Sequence, residues 1–306
     1  MNTTTSSRTQ SVPASASRCA LVLGGGGSTG NAWLIGVLAG LADAGLDATT
    51  ADVVIGTSAG STAAAQIAGA TPADLYAAVV DAAPQHRTPP AGPAGAVPPA
   101  RPVSDHLERT GRIIASAEDS ADMRRRMGAL ALDIASGYDV SDRWRATVAA
   151  RLPATDWPEH DLLITAVDAH TGDPAVFHRD SGIDLVDAVA ASCSSGSAYR
   201  IGANSYIDGG YRRNENADLA AGCGRVLVLS PFGGRTRMPL EWGMQLAAQV
   251  EELRAGGSRV ETVFPEGDAE HMFGANAMDL SLRPAAAHAG YNQGKGLAGK
   301  LAEFWR

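Results

Sequence analysis

The 306-residue chain has little that would commit it to an oxidising compartment, a nucleic acid or the interior of a bilayer. It has three cysteines, an odd number, spread over Cys19, Cys193 and Cys223, so neither a disulfide framework nor a metal-ligand spacing is laid out. They read as small buried residues of a reducing, cytoplasmic compartment. Positive charge is in deficit: 25 Lys and Arg against 33 Asp and Glu leave a net charge of −8. That excludes the electrostatic footprint of a nucleic-acid binder and any general attraction to an anionic membrane. Unbroken apolar runs of membrane length are also missing. Residues 20–41 carry no charge, but Gly24, Gly25, Gly26 and Gly27, followed by Ser28, Thr29 and Asn31, would strand backbone polar groups in lipid. Residues 53–73 fail in the same way through Gly56, Gly60, Gly69 and Pro72. The first 18 residues, rich in Ser, Thr and Ala, lack the apolar core of a signal peptide and are expected to form a disordered tail.

What remains is an ordinary globular composition, 45% apolar and 19% charged, in a chain long enough to bury a full core. Residues 19–23 form a short apolar run before the glycine cluster and read as a buried strand. From 30 to 44, Trp33, Leu34, Val37, Leu38 and Leu41 recur at helical spacing, and Gly45 stands where a helix-terminating glycine belongs. Residues 52–55 are a second buried strand, followed by an Ala-rich helix ending near Gly69. Pro72 can then open a further helix. Residues 84–102 hold seven prolines, so neither helix nor central strand fits there. With the helical stretch that follows, residues 84–151 read as an insertion, most simply a lid, in one α/β domain spanning 19–306. Within it Arg124, Arg125 and Arg126 form a basic run: a solvated face, or a patch for lipid headgroups that would make peripheral membrane contact. Later segments alternate again: strands at 162–167, 206–207 and 226–230, a hairpin partner at 175–178, and helices at 184–191, 240–253 and 284–304. Strands separated by helices imply a mostly parallel sheet covered on both faces.

Gly56-Thr57-Ser58-Ala59-Gly60 is a G-x-S-x-G pattern between a strand and a helix. A sharp turn there holds the serine oxygen clear of the backbone, and the small neighbours make the turn sterically possible. The helix N-terminus adds free N–H groups for a developing oxyanion. A second copy surrounds Ser28, but several residues beyond its strand, within a loop, so Ser58 is the better nucleophile. The glycine cluster supports two readings. Gly25-x-Gly27-x-x-Gly30 is formally a dinucleotide fingerprint, although Gly56 and Thr57 stand where that site needs an acid. Alternatively its N–H groups form an oxyanion hole. Asp208, before Gly209 and Gly210, is either a turn residue or a carboxylate at a strand end that could serve Ser58 as general base. A Ser–acid–His triad would instead recruit His271 or His288.

The three motifs in this order resemble the patatin-like phospholipase family, as do the segments between them: TAVDAHTGDPAVFHRDSGIDLVDAVAASCS, YIDGGYRRNENADLA and RVLVLSP, over roughly residues 19–231. The resemblance implies a three-layer α/β/α fold and a serine acyl-ester hydrolase acting on lipid or small ester substrates. It assigns Ser58 as nucleophile, Asp208 as base and Gly25, Gly26 and Gly27 as oxyanion donors, with no catalytic histidine, metal or organic cofactor. Two departures bear on activity. Thr29 stands where the family often carries Arg or Lys, and residues 193–200 lack the prolines usual there, implying a looser wall. A non-catalytic lipid-binding protein on the same scaffold is therefore the alternative, with a dinucleotide-binding oxidoreductase behind it.

Overall fold

The computed structural model describes residues 15–82, 103–137 and 139–305. The expected tail up to residue 14 and the Pro-rich connection at 84–102 lie outside the described residues.

Eight strands form one sheet: β1 (Ser15–Leu23), β2 (Val53–Gly56), β3 (Asp161–Asp168), β4 (Pro174–Phe177), β5 (Tyr199–Ile201), β6 (Asn204–Asp208), β7 (Cys223–Leu229) and β8 (Arg259–Val263). Their order is β5-β6-β3-β2-β1-β7-β8, with β4 paired to β3. The centre, β3-β2-β1-β7-β8, is parallel, whereas β4, β5 and β6 run antiparallel at one end. Along β1 the side chains alternate between two separate cores. Leu21 and Leu23 join the core under helix α1 (Gly27–Asp43) and helix α9 (Arg283–Trp305). Ala20 and Val22 join the opposite core under helix α8 (Leu246–Ala255). The apolar run at 19–23 within β1 must be covered on both faces, and it is. The mostly parallel, doubly covered sheet expected from the alternation is therefore the architecture found.

Helix α1 ends as its sequence requires. Gly45, at φ 88°, donates its N–H to Ala42 O, and Leu46 donates to Leu41 O, closing a Schellman motif. Against α9, α1 packs almost backbone to backbone: a methyl group at Gly36 would lie 2.1 Å from Ala287 O, and one at Gly290 would lie 2.4 Å from Trp33 O. Gly36→Ala is accordingly expected to prise the two helices apart and cost about 1–3 kcal/mol, by the overpacking of a full core. A fall in the thermal midpoint, with the far-UV circular dichroism at low temperature unchanged, is the outcome to look for.

Helices α2 (Ala59–Gly69) and α3 (Pro72–Val80) follow β2, and α7 (Leu185–Ser192) precedes β5. The stretch read as an insertion contributes α4 (Val103–Ser116), α5 (Ser120–Gly137) and α6 (Ser141–Ala149). Met123 and Met127 of α5 and Ile114 of α4 pack with Val167 and Ile207 at the antiparallel end of the sheet. These helices thus wall the end of β6, where Asp208 sits. The basic run lies on α5, with Arg125 and Arg126 exposed. Arg124 donates to Gly172 O, and Arg125 and Arg126 pair with Asp122.

The structure differs from the sequence reading at several points. β1 starts at Ser15, so residues 15–18, assigned to the tail, belong to the sheet, where Arg225 reaches Ser17 O. α1 starts inside the glycine cluster at Gly27, which places Ser28 in the first helical turn rather than in a loop. The helix expected over 240–253 splits into a short 3-10 turn, Leu240–Trp242, and α8, because Gly243 takes a left-handed conformation between them at φ 63°. Strands β5 and β8 were not anticipated. Both are short, and neither carries an apolar run. Among the described residues no helix is long and apolar enough to cross a membrane.

Candidate active site

Ser58 occupies the turn between β2 and α2 with φ 52° and ψ −116°. A side chain rarely adopts positive φ, and holding one there costs of order 1–3 kcal/mol. The neighbours over-determine it. Thr57 N–H donates to Leu23 O at 3.1 Å, Ser58 N–H donates to Ser192 Oγ at 2.9 Å, and Ser58 O accepts from Ser61 Oγ at 2.6 Å and Cys193 Sγ at 3.1 Å. Gly60 lets α2 enter so steeply that a methyl group there would sit 1.9 Å from Leu23 O. The G-x-S-x-G spacing is thus a steric requirement of this turn.

Asp208 ends β6, and its Oδ2 accepts the Ser58 hydroxyl at 2.8 Å. Its Oδ1 accepts the Gly210 N–H at 2.8 Å, so the Asp-Gly-Gly sequence is both a turn and a carboxylate anchor. Asp208 N–H donates to Ser194 O at 3.0 Å. The carboxyl is buried, and desolvation raises its pKa from 3.8 to about 6 against the opposing bonds from Gly210 and Ser58. Burial likewise raises the Cys193 thiol to about 11, so it stays protonated and serves as a donor to Ser58 O.

One buried amide ties the three motif-bearing segments together. Asn216, itself at φ 54°, donates through Nδ2 to Thr57 Oγ1 at 3.0 Å, Thr165 Oγ1 at 3.2 Å, Gly209 O at 3.2 Å and Arg213 O at 2.7 Å. It therefore links the serine turn, β3 and the Asp208 turn. Sequence reasoning overlooked Asn216, Ser192 and Cys193. The only signal was their place inside the quoted segments, because an asparagine in a polar loop has no periodicity to mark it.

The glycine cluster lies beside the serine: a methyl group at Gly25 would be 3.6 Å from Ser58 Cβ. Its three glycines are not equivalent. Gly25 N–H is already donated to Asn214 O at 3.0 Å, which removes it from the expected oxyanion donors. Gly26 and Gly27 N–H groups have no acceptor among the described residues. Gly27, at φ 64°, makes the left-handed step into α1 against the Ala277 carbonyl.

The rival arrangements come apart. His271 Nδ1 sits 2.9 Å from Asp268 O, and His288 Nδ1 sits 2.7 Å from Tyr76 Oη. No described histidine bonds to Ser58 or Asp208. Ser28 is held by Arg283, which donates to its carbonyl at 2.8 Å and its hydroxyl at 3.1 Å. The acid that a dinucleotide site would need, Asp52, precedes β2 and accepts the Cys19 N–H at 2.7 Å, at the end away from the glycine cluster. Thr29 is buried, donating to Met272 O at 2.9 Å. The proline-free segment 193–200 is not loose. Ser194 O holds Asp208, Ser194 Oγ donates to Ala190 O at 2.7 Å, Ala198 N–H donates to Ala131 O at 3.1 Å, and Tyr211 donates to Ser195 O at 2.8 Å. Hydrogen bonds do there what prolines would do by restricting φ. Among the described residues, no three His, Cys, Asp or Glu side chains converge as a metal site would require.

Comparison with known proteins gives one extended match, to the family model described as patatin-like phospholipase, over residues 21–221. No curated protein sequence matches. The solved structures that match include two that cover most of this chain. VipD from Legionella pneumophila is 13% identical with a TM-score of 0.43, covering 94% of this chain and 68% of that one. The type III effector protein ExoU is 16% identical with a TM-score of 0.31, covering 92% and 54%. With the family model matched across β1, the serine turn and the Asp208 turn, the chain belongs to the patatin-like phospholipase family.

Proposed function

We propose that the protein hydrolyses carboxylic esters of lipids through a Ser58–Asp208 dyad and an acyl-enzyme. Asp208 takes the hydroxyl proton as Ser58 Oγ attacks the ester carbonyl carbon. The tetrahedral oxyanion is met by the N–H groups of Gly26 and Gly27 and by the positive end of α2. Collapse expels the alcohol, to which Asp208 returns the proton. The same carboxylate then activates water to release the acid and restore the serine. The observation that carries this reading is the 2.8 Å bond from a strained serine hydroxyl to a buried carboxylate whose pKa is raised to about 6. A base poised there is ionised at neutral pH yet basic enough to accept a proton in the transition state.

A fluorophosphonate probe tests the proposal. It should label the protein once, and peptide mapping should place the adduct on Ser58, with labelling lost in Ser58→Ala. An adduct on Ser28 that survives Ser58→Ala would overturn the nucleophile. Absence of turnover across a panel of ester chain lengths would return the chain to the lipid-binding alternative.

A further inference from the structure

A cavity of about 380 Å³ opens beside Gln66, toward the end of α2 away from the serine turn. Its wall is apolar, with Ile35 of α1, Leu75 and Val79 of α3, and Leu152 just beyond α6. Two arginines, Arg151 and Arg283, also line it. The volume lies in the range that encloses small organic ligands, roughly 300–1,000 Å³.

The charges in this cavity are unbalanced. Neither Arg151 nor Arg283 takes part in an ion pair among the described residues. Arg283 spends part of its guanidinium on Ser28 and on Asn31 Oδ1, at 3.2 Å, and is largely buried. Burial and the neighbouring Arg151 charge both hold its pKa below the ordinary value. Arg151 lies over the Trp144 ring, 5.3 Å from its centroid, with no hydrogen bond from its guanidinium among the described residues. Arg151 is exposed to solvent and Arg283 is partly buried, so an anion in the cavity would meet two neighbouring guanidiniums, one of them already partly desolvated.

We propose that this cavity is a binding site, separate from the serine turn, for a long-chain carboxylate. The head would be held between Arg151 and Arg283 and the tail laid along Ile35, Leu75, Val79 and Leu152. A small inorganic anion would leave the apolar wall unused, and a neutral lipid would leave the guanidiniums unpaired. A fatty carboxylate satisfies both, and it is the acid that the proposed hydrolysis releases. Arg283 also supplies a path to the catalytic loop, since it holds Ser28, the residue after Gly27.

Isothermal titration of the full chain carrying Ser58→Ala with oleate, below its micellar concentration, tests this. One-to-one binding is expected, weakened about tenfold or more by Arg151→Gln, as loss of a charge-assisted contact would do, and largely restored by Arg151→Lys. Decanol and inorganic phosphate should each bind far more weakly. Arg151 contacts no residue of the dyad, so its variants should stay folded. Oleate bound equally with and without Arg151→Gln, or not bound at all, overturns the site. Phosphate bound as tightly as oleate overturns the amphiphile in favour of a plain oxyanion. None of these results depends on turnover, so failure here leaves the dyad standing. Conversely, residual hydrolysis by Ser58→Ala sinks the dyad and leaves this site intact.

Discussion

Replacing Ser58 by alanine is expected to lower kcat for ester hydrolysis by about a million-fold, the scale seen when a catalytic serine is removed from a protease triad. Three features make the loss this large. Among the described residues the hydroxyl is the only side-chain group that Asp208 Oδ2 engages, at 2.8 Å. The turn is spent on presenting that oxygen, at a strained φ of 52° held by Ser192, Ser61 and Cys193. No second nucleophile stands by: the Ser28 hydroxyl is bound by Arg283, and the Cys193 thiol is kept protonated by burial. The fold should survive, because alanine keeps the backbone and its bonds at the turn. Kinetics on a chromogenic short-chain ester, with circular dichroism as the control for folding, would decide it. A residual rate within about a hundredfold of wild type would mean that another group forms the acyl-enzyme.

Asp208→Asn should reduce kcat by about 100- to 10,000-fold, the usual contribution of a general base, and should change two pH profiles in opposite senses. In the wild type, kcat/KM is expected to rise with pH through an apparent pKa near 6, the value to which burial lifts this carboxyl. Only the ionised form can take the serine proton. The variant should lose that limb. Stability runs the other way. A carboxyl with a raised folded pKa contributes stability that is fully present below its unfolded value of 3.8 and is lost as pH rises through about 6. At pH 8 the buried charge therefore costs of order 3 kcal/mol relative to the protonated state. The amide that replaces the carboxyl cannot ionise, so the variant should gain thermal stability over wild type at pH 8 and show little difference below pH 4. Thermal melts at the two pH values, beside the rate profile, separate a catalytic loss from a folding loss. A variant that keeps the acid limb would transfer the base to another residue.

The legible part of this protein was whatever depends on short-range rules. Gly45 after an apolar helical stripe specified the end of α1, and Pro72 after Thr71 specified the start of α3. The unbroken apolar runs at 19–23 and 226–229 required a sheet covered on both faces. Ser58 was singled out by its strand–turn–helix setting. The illegible part depends on contacts that no local pattern encodes. Gly25 reads like Gly26 and Gly27 in sequence. Only the approach of Asn214, 189 residues away, takes its N–H out of use. Segment 193–200 looked loose for want of proline and is instead held by hydrogen bonds to Asp208, Ala131 and Tyr211.

By itself the sequence determined a doubly covered α/β sheet, a serine held in a strand-to-helix turn and an Asp-Gly-Gly turn far along the chain, because strands, caps and turns obey steric rules over a few residues. The tertiary structure decided that Ser58 and Asp208 meet across 150 residues, that Asn216 fastens their two turns to β3, and that Arg151 and Arg283 line one cavity with no ion-pair partner among the described residues. Such meetings are set by which strands lie side by side, and side-chain hydrogen bonds and unpaired charges exist only once the sheet has closed.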